Sequence, residues 1–247
     1  MKLALLTTIC LIASSAGPHR ASTPTAEAIL ERVDNILSPS ADFTMTVTVK
    51  DKEPGKPEKV TQFKMLAKGR DHTLLMTLSP ESRRGRNLLY NALDLWVFMP
   101  SVRRPFKISL QERLTGEAAN ADLARANYSR DYSASLIGMQ VMDGKQHYRL
   151  ELKPRVDAAP YQRVEMWVRV DDYSPVRAEF YAVSGRLLKE CLYDRFVQFF
   201  DIKRPTRLIL KNSLSAGRSS TLEYSDWQQK PAPMKFFDKS YIDKTKY

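Results

Sequence analysis

Few residues of this chain have the types and spacing that catalysis requires. Apart from His19 near the N-terminus, the 247-residue sequence has two histidines, His72 and His147, on separate predicted elements. No nucleophile elbow, H-E-x-x-H, P-loop or C-x-x-C motif occurs. The pair Asp171–Asp172 falls in a predicted hairpin turn, where aspartate serves backbone hydrogen bonding. The sequence therefore predicts a protein that is not an enzyme and has no cofactor or metal site. A hydrolase acting through the two histidines is the weakest alternative.

Methionine placement points instead to apolar binding. Met45, Met65 and Met76 each lie on the apolar side of a predicted strand, and methionine suits adaptable apolar surfaces because it is flexible and polarisable. If those strands are neighbours, the three side chains form one patch, either a ligand cavity or a core that uses methionine as filler. The full set of residues predicted to line a cavity is Met45, Phe63, Met65, Met76, Trp96 and Met166. The pattern does not decide which face of the sheet Trp96 occupies, so its ring could point outward.

Arginines follow the same part of the chain. In a meander, Arg86 begins one strand, Met99 ends the next, and Arg103–Arg104 precede a third, so these strand ends meet at one rim of the sheet. Guanidinium groups bind phosphate or carboxylate bidentately. We therefore predict a headgroup or partner contact at Arg86, Arg103 and Arg104. The alternative is a solvated basic edge that discourages strand-to-strand aggregation.

The strand Leu93–Met99 is apolar on both faces, and such a strand must be covered twice or present one face to an apolar partner. It sits in a long series of alternating segments that begins at Asp42, after a helix that ends near Leu37. Residues 111–131 interrupt the series with helix-forming residues around Ala118–Ala126. The pattern predicts a mainly β (α+β) fold, a strongly curved antiparallel sheet of about eleven strands with helices covering its concave apolar face.

The N-terminus has the pattern of a signal peptide. A lysine precedes the apolar run Leu3–Ala13, and small residues follow it, so we predict a signal peptide over residues 1–16, with cleavage after Ala21 as the alternative. Residues 17–247 then form one domain, with Cys191 as a lone, buried core thiol. Lys2 is lost with the leader, so 38 basic residues face 28 acidic ones and the formal charge becomes +10. Such a charge favours anionic partners, among which export makes nucleic acid the least expected.

Several stretches of the chain resemble the outer-membrane lipoprotein-sorting protein family, which belongs with the periplasmic carriers LolA and LolB. The match lies in the order and spacing of Gly85–Tyr90, Leu95–Ser101, Arg103–Pro105 with Ile108–Ser109, Tyr161–Trp167, Ala178–Tyr181, Gly185–Lys189, Pro205–Arg207 and Leu222–Asp226.

The resemblance implies a half-barrel closed by helices around an apolar cavity. It also implies a non-enzymatic periplasmic carrier for lipid or the acyl chains of lipoproteins, in transient contact with membranes and with an inner-membrane exporter or an outer-membrane acceptor. The alternative is an envelope adaptor for an RND-type exporter that acts through the basic rim without a bound lipid.

Overall fold

Antiparallel strands make up most of the fold. The computed structural model describes residues 23–110, 113–119, 122–123, 127–157, 159–199 and 201–244; the predicted signal peptide lies outside these ranges. The strands are β1 (Phe43–Lys52), β2 (Lys59–Lys68), β3 (His72–Ser79), β4 (Asn87–Asn91), β5 (Asp94–Phe98), β6 (Phe106–Ile108), β7 (Arg113–Thr115), β8 (Ala118–Ala119), β9 (Tyr132–Met142), β10 (Lys145–Pro154), β11 (Arg163–Arg169), β12 (Pro175–Tyr181), β13 (Leu187–Phe199), β14 (Ile202–Asn212) and β15 (Ser219–Gln229).

Thirteen of these strands form one open antiparallel sheet. Their order is β6-β5-β4-β3-β2-β1-β15-β14-β13-β12-β11-β10-β9, so nearly every strand pairs with its sequence neighbour and only β1 and β15 bring distant parts of the chain together. The mainly β fold is confirmed, with two strands more than the predicted eleven. β7 and β8 form a separate pair. Within the range Ala118–Ala126, where a short helix is predicted, Ala118–Ala119 is extended and residues 122–123 are helical.

An ion pair between the two halves of the sheet shows how strongly the sheet curves. Arg130 lies two residues before the edge strand β9, and Asp71 lies in the β2–β3 turn; their Nη1 and Oδ1 atoms are 2.5 Å apart. Eight strand intervals separate β2 from β9, which would be about 38 Å in a flat sheet. The sheet therefore curls until its two halves meet at this point, as accumulated strand twist favours.

Two α-helices are described in full; residues 122–123 are also helical, and short 3-10 helices span Glu81–Arg83 and Met234–Phe237. Helix α1 (Ala26–Leu37) begins where the Thr25 hydroxyl accepts a hydrogen bond from the amide of Ala28 at 3.2 Å, which is ordinary N-capping. Helix α2 (Tyr128–Asp131) is a single turn that precedes β9. α1 contacts α2, β9 and β14. Neither described helix has the length and hydropathy that a membrane span requires.

The sheet has an apolar cluster on each face. On the concave face, strand residues from β1 to β15 join Ile29, Leu30 and Val33 of α1 in one large core cluster. On the convex face, a smaller cluster includes Leu74 and Leu89 and is covered by the C-terminal segment 232–242. Two asparagine side chains of β4 hold that segment in place. Asn87 Nδ2 donates to the Ile242 carbonyl oxygen and Asn91 Nδ2 donates to the Phe237 carbonyl oxygen, each at 2.8 Å.

The doubly apolar strand 93–99 is covered on both sides. In β5, Leu95 and Val97 belong to the concave cluster, whereas Trp96 and Phe98 pack against the convex cluster under the C-terminal segment. Each face therefore loses water contact to a different part of the chain, which stabilises a strand that would otherwise expose large apolar side chains.

Candidate ligand cavity

A cavity opens on the concave side of the sheet, beside the C-terminal end of α1. Its volume is about 70 Å³. Strands β1, β2, β3, β12, β13, β14 and β15 contribute to its wall. The lining comprises Ile36, Leu37, Ser38, Phe43, Met45, Met65, Ala67, Thr73, Asp122, Leu123, Tyr128, Phe180, Cys191, Tyr193, Arg204, Pro205, Leu208, Leu210, Tyr224 and Trp227.

Four of the residues predicted to line a cavity lie on the concave face. Met45 and Met65 stand directly opposite each other across the β1–β2 pair and both line the cavity. Phe63 and Met166 are buried in the same apolar cluster, away from the cavity wall. Whether any of these side chains contacts a ligand stays a prediction.

Met76 and Trp96 lie on the other face, so the prediction that Met45, Met65 and Met76 form one patch is wrong. The register places Met65 opposite Leu75 and Lys64 opposite Met76, which turns the Met76 side chain to the convex cluster. The physical reason is that β3 is apolar on both faces. The alternation of apolar and polar residues therefore does not show which face of the sheet each side chain occupies. Trp96 follows the same rule on β5, and its ring lies beneath Lys239, whose Nζ is 4.7 Å from the ring centroid.

Aromatic residues form a wall of the cavity that sequence reasoning missed. The Trp227 ring stacks on Phe43 with centroids 5.2 Å apart and tilts against Phe199 at 4.6 Å. Trp227 lies near the end of β15, one strand from β1, because the β1–β15 pairing closes the chain on itself. Alternation along β15 puts Leu222 and Tyr224 on one face and would put Trp227 on the other, but a register shift at Asp226, whose φ is 52°, returns Trp227 to the cavity side.

The cavity also contains titratable groups in an apolar setting. Burial raises the pKa of the Cys191 thiol, so the thiol stays protonated at neutral pH and is a poor nucleophile. Burial likewise raises the pKa values of Tyr128 and Tyr193, whose side chains share a hydrogen bond.

His72 and His147 lie on separate strands, β3 and β10. Within the described ranges, no cluster of three or more His, Cys, Asp or Glu side chains could hold a metal ion.

A buried ion pair at one side of the cavity was not predicted. Lys189 Nζ and Asp122 Oδ2 form a contact between side chains that are each less than a tenth exposed. Asp122 also accepts a hydrogen bond from the Tyr161 hydroxyl at 3.0 Å and one from the Ala119 amide at 2.8 Å. These contacts compensate both buried charges, as burial requires. They also hold Asp122, which lies between β6 and β9 in the sequence, against the interior of the sheet.

Two arginines hold the C-terminal end of α1 at the cavity mouth. Arg204, on β14, is 4% exposed, and its Nη1 donates to the carbonyl oxygens of Asn35 and Ile36, each at 2.5 Å. Arg70, in the β2–β3 turn, donates from Nε to the Ser38 carbonyl oxygen at 3.2 Å. Burial, and next the Arg70 charge, lower the pKa of Arg204 to about 10. The last turn of α1 contains no basic residue of its own, so cations from the sheet complement its dipole.

A second polar contact attaches α1 to α2. The carboxylate of Asp34, fully buried, accepts hydrogen bonds from the Tyr128 amide at 2.9 Å and from the Ser129 amide and hydroxyl at 2.7 and 2.6 Å. Burial raises the pKa of Asp34, and these hydrogen bonds act in the opposite direction. The C-terminal half of α1 is thus held by polar contacts, whereas Ile29, Leu30 and Val33 pack in the apolar cluster.

The predicted basic rim lies at the opposite end of β3 and β4 from the β2–β3 turn. Arg86 directly precedes β4, and Arg103 and Arg104 lie in the β5–β6 connection. The two connections touch, because a Cβ placed on Gly85 would lie 3.0 Å from Cγ of Pro100. Burial, and next the Arg83 charge, lower the pKa of Arg86. Arg83, Arg86, Arg103 and Arg104 form no ion pair with any carboxylate that the structure describes. We call these four residues the basic edge.

Comparison with known proteins supports a relationship over most of the chain. A family model whose members are described only as uncharacterized proteins matches residues 69–244. No protein of curated function matches significantly.

Solved structures extend the relationship to the fold. The LolA superfamily protein NE2245 from Nitrosomonas europaea is 40% identical, with a TM-score of 0.84, and the match covers 89% of this chain and all of that one. A domain from Vibrio parahaemolyticus, provisionally described as an outer membrane lipoprotein-sorting protein, is 21% identical with a TM-score of 0.76 over 88% and 98% of the two chains. A DUF1329 family protein from Desulfovibrio piger is 22% identical with a TM-score of 0.77 over 88% and 97%. The resemblance found in the sequence is confirmed, and the chain belongs to the LolA superfamily.

Proposed function

We propose that this protein is a periplasmic carrier, which binds lipid or the acyl chains of lipoproteins in its concave cavity and transports them toward the outer membrane. The observation that carries the proposal is an apolar cavity enclosed between a curved open sheet and the end of α1. The description of the Vibrio relative as a lipoprotein-sorting domain supports this cargo class, and the predicted signal peptide supports the compartment.

Helix α1 serves as the cover of the concave face in this proposal, together with α2 and residues 122–123. A cavity of about 70 Å³ is less than half of the ~150 Å³ that accommodates one benzene molecule in an engineered protein core. An acyl chain therefore cannot enter unless the cover moves. The C-terminal end of α1 is the part expected to move, because hydrogen bonds from Arg204 and Arg70 to its carbonyl oxygens, and from α2 to Asp34, hold it and water can replace them.

The energy available for binding is sufficient. Transfer of about ten methylenes from water into the cavity contributes about 8 kcal/mol at ~0.8 kcal/mol each. That value corresponds to micromolar affinity before the cost of displacing α1. The carrier would thus bind its cargo firmly and still release it without covalent chemistry.

Native mass spectrometry of protein purified from the periplasm without detergent tests the proposal, together with uptake of a fluorescent fatty acid by the delipidated protein. We expect a co-purified lipid or saturable uptake. Protein that is consistently empty and also fails to take up the fatty acid would refute the carrier function.

We propose an envelope adaptor for an RND-type exporter as the second candidate, which the basic edge favours because its four cations form no ion pair within the described ranges. The double charge reversal Arg103→Glu/Arg104→Glu separates the two functions, because both residues are exposed and distant from the cavity lining. If the adaptor function is real, the variant loses a partner that wild type captures while fatty acid uptake is unchanged. If wild type captures no partner through this edge, the adaptor candidate falls.

A further inference from the structure

The cavity mouth combines a buried cation with an apolar interior. Arg204 lines the cavity together with Met45, Leu208 and Trp227. A cation removed from water is costly unless a polar or anionic group compensates it. Its contacts include hydrogen bonds from Nη1 to the carbonyl oxygens of Asn35 and Ile36, and each of these oxygens carries only a partial charge. A full negative charge at the same place would interact with the guanidinium more strongly.

A second guanidinium lies close enough to Arg204 to lower its pKa. Arg70 acts on Arg204 as a like charge and contacts the same end of α1. Two guanidinium groups thus converge on the last turn of α1, where the Asp34 carboxylate also interacts with Arg70. Such a pair suits carboxylate or phosphate, which guanidinium groups bind in a bidentate manner.

A neutral donor at the mouth is also available. The indole Nε1–H of Trp227 is buried and has no hydrogen-bond acceptor in the described part of the chain. Trp227 lines the same cavity and lies on β15, the strand next to Arg204 on β14. A buried N–H without an acceptor costs stability, and an oxygen atom of a ligand could satisfy it.

We propose that the cavity mouth recognises the anionic headgroup of a single-chain amphiphile, a carboxylate or a phosphate, with Arg204 as its principal contact, Arg70 as the second charge and Trp227 Nε1–H as a neutral donor. The acyl chain then lies along Met45 and Met65. When the end of α1 moves, the headgroup replaces the carbonyl oxygens of Asn35 and Ile36 on Arg204. This inference rests on the proposed carrier function and narrows its cargo class.

A comparison of palmitic acid with hexadecanol tests the headgroup, because the two share their chain length and differ in charge. Affinities are measured by displacement of a fluorescent probe at a pH where the acid is ionised. Hydrogen bonds to charged groups correspond to about 10- to 100-fold in affinity, so we expect wild type to prefer the acid by that factor. Arg204→Gln should abolish the preference and Arg204→Lys should keep part of it. Lys203→Gln, which makes the same charge change at an exposed neighbour, should leave it intact.

The outcomes separate this inference from the carrier function. If wild type binds acid and alcohol equally, the headgroup site is refuted and the carrier function stands; if it binds neither, both fall. A preference that survives in Arg204→Gln refutes the role of Arg204 and leaves it as a cap of α1. Acetate, which has the headgroup without the chain, should not compete, and effective competition would indicate a general anion site. Should Arg204→Gln fail to fold, the acid-to-alcohol ratio of wild type still decides.

Discussion

Truncation of Met65 should change which acyl chain the protein prefers, whereas truncation of Met76 should not. Both side chains are nearly fully buried, at 3% and 7% exposure, but Met65 lines the cavity and Met76 lies in the convex cluster. Met65→Ala removes three side-chain heavy atoms from the cavity wall and makes room for up to about three methylenes. At ~0.8 kcal/mol each, that is about 2.4 kcal/mol, or roughly 50-fold in affinity for a correspondingly longer chain.

The assay is displacement of a fluorescent fatty acid by a series of saturated fatty acids of increasing length. We expect the optimum of Met65→Ala to move to longer chains by two or three carbons, and that of Met76→Ala to match wild type. Urea denaturation is the control, since either truncation should lower the free energy of unfolding by about 2–5 kcal/mol. The reasoning is refuted if the two variants shift the optimum alike, or if Met65→Ala does not shift it.

Two further predictions concern groups around the cavity. Burial raises the pKa of Asp34 above its ordinary 3.8, so the folded state binds this proton more tightly than the unfolded state does. The stabilisation that the protonated Asp34 carboxyl contributes is therefore lost as pH rises through the folded-state pKa. Wild type should therefore lose unfolding free energy relative to Asp34→Asn as pH rises above the ordinary aspartate pKa, measured in urea titrations; parallel pH profiles would contradict the assignment. The Cys191 thiol, buried and with a raised pKa, should react with a thiol reagent far more slowly in the native protein than in urea. Rapid labelling of the folded protein would show that the cavity wall opens readily.

Local periodicity was sufficient where a strand has one apolar face. Alternation in β1 and β2 placed Met45 and Met65 on the same face, and the structure pairs them directly. The basic edge was also predictable, because a meander of short hairpins brings Arg86 beside the β5–β6 connection through local turns. Both inferences needed only neighbouring strands and the two-residue period of a strand.

Alternation along a strand did not predict the face of a side chain where both faces of the strand are apolar. In β3, Leu74, Leu75 and Met76 follow one another, and nothing in their order shows that Leu75 faces the concave side. The face of Met76 is decided by the C-terminal segment 232–242, which covers the convex cluster from more than 150 positions away. A sequence pattern does not show such a cover in advance.

The polar groups at the mouth depend on contacts that are distant in sequence. Arg204 and the Asn35 carbonyl are 169 positions apart, and Lys189 and Asp122 are 67 apart. Each residue alone is indistinguishable from the many surface cations and carboxylates of a chain with 39 basic and 28 acidic residues. Only the curvature of the sheet brings them to the cavity, and curvature follows from the accumulated twist of many strand pairs.

Tryptophan quenching by a brominated fatty acid tests the central claim most directly, because bromine quenches only an indole that it approaches closely. Of the three tryptophans, Trp227 lines the cavity, whereas Trp96 packs against the convex cluster and Trp167 donates from Nε1 to Gln140 Oε1 at 2.8 Å. Single-tryptophan proteins made by Trp→Phe substitution report each position separately. Saturable quenching of Trp227, with Trp96 and Trp167 unaffected, is the result that a concave acyl-chain site predicts. Quenching of Trp96 or Trp167 with Trp227 unaffected would contradict it.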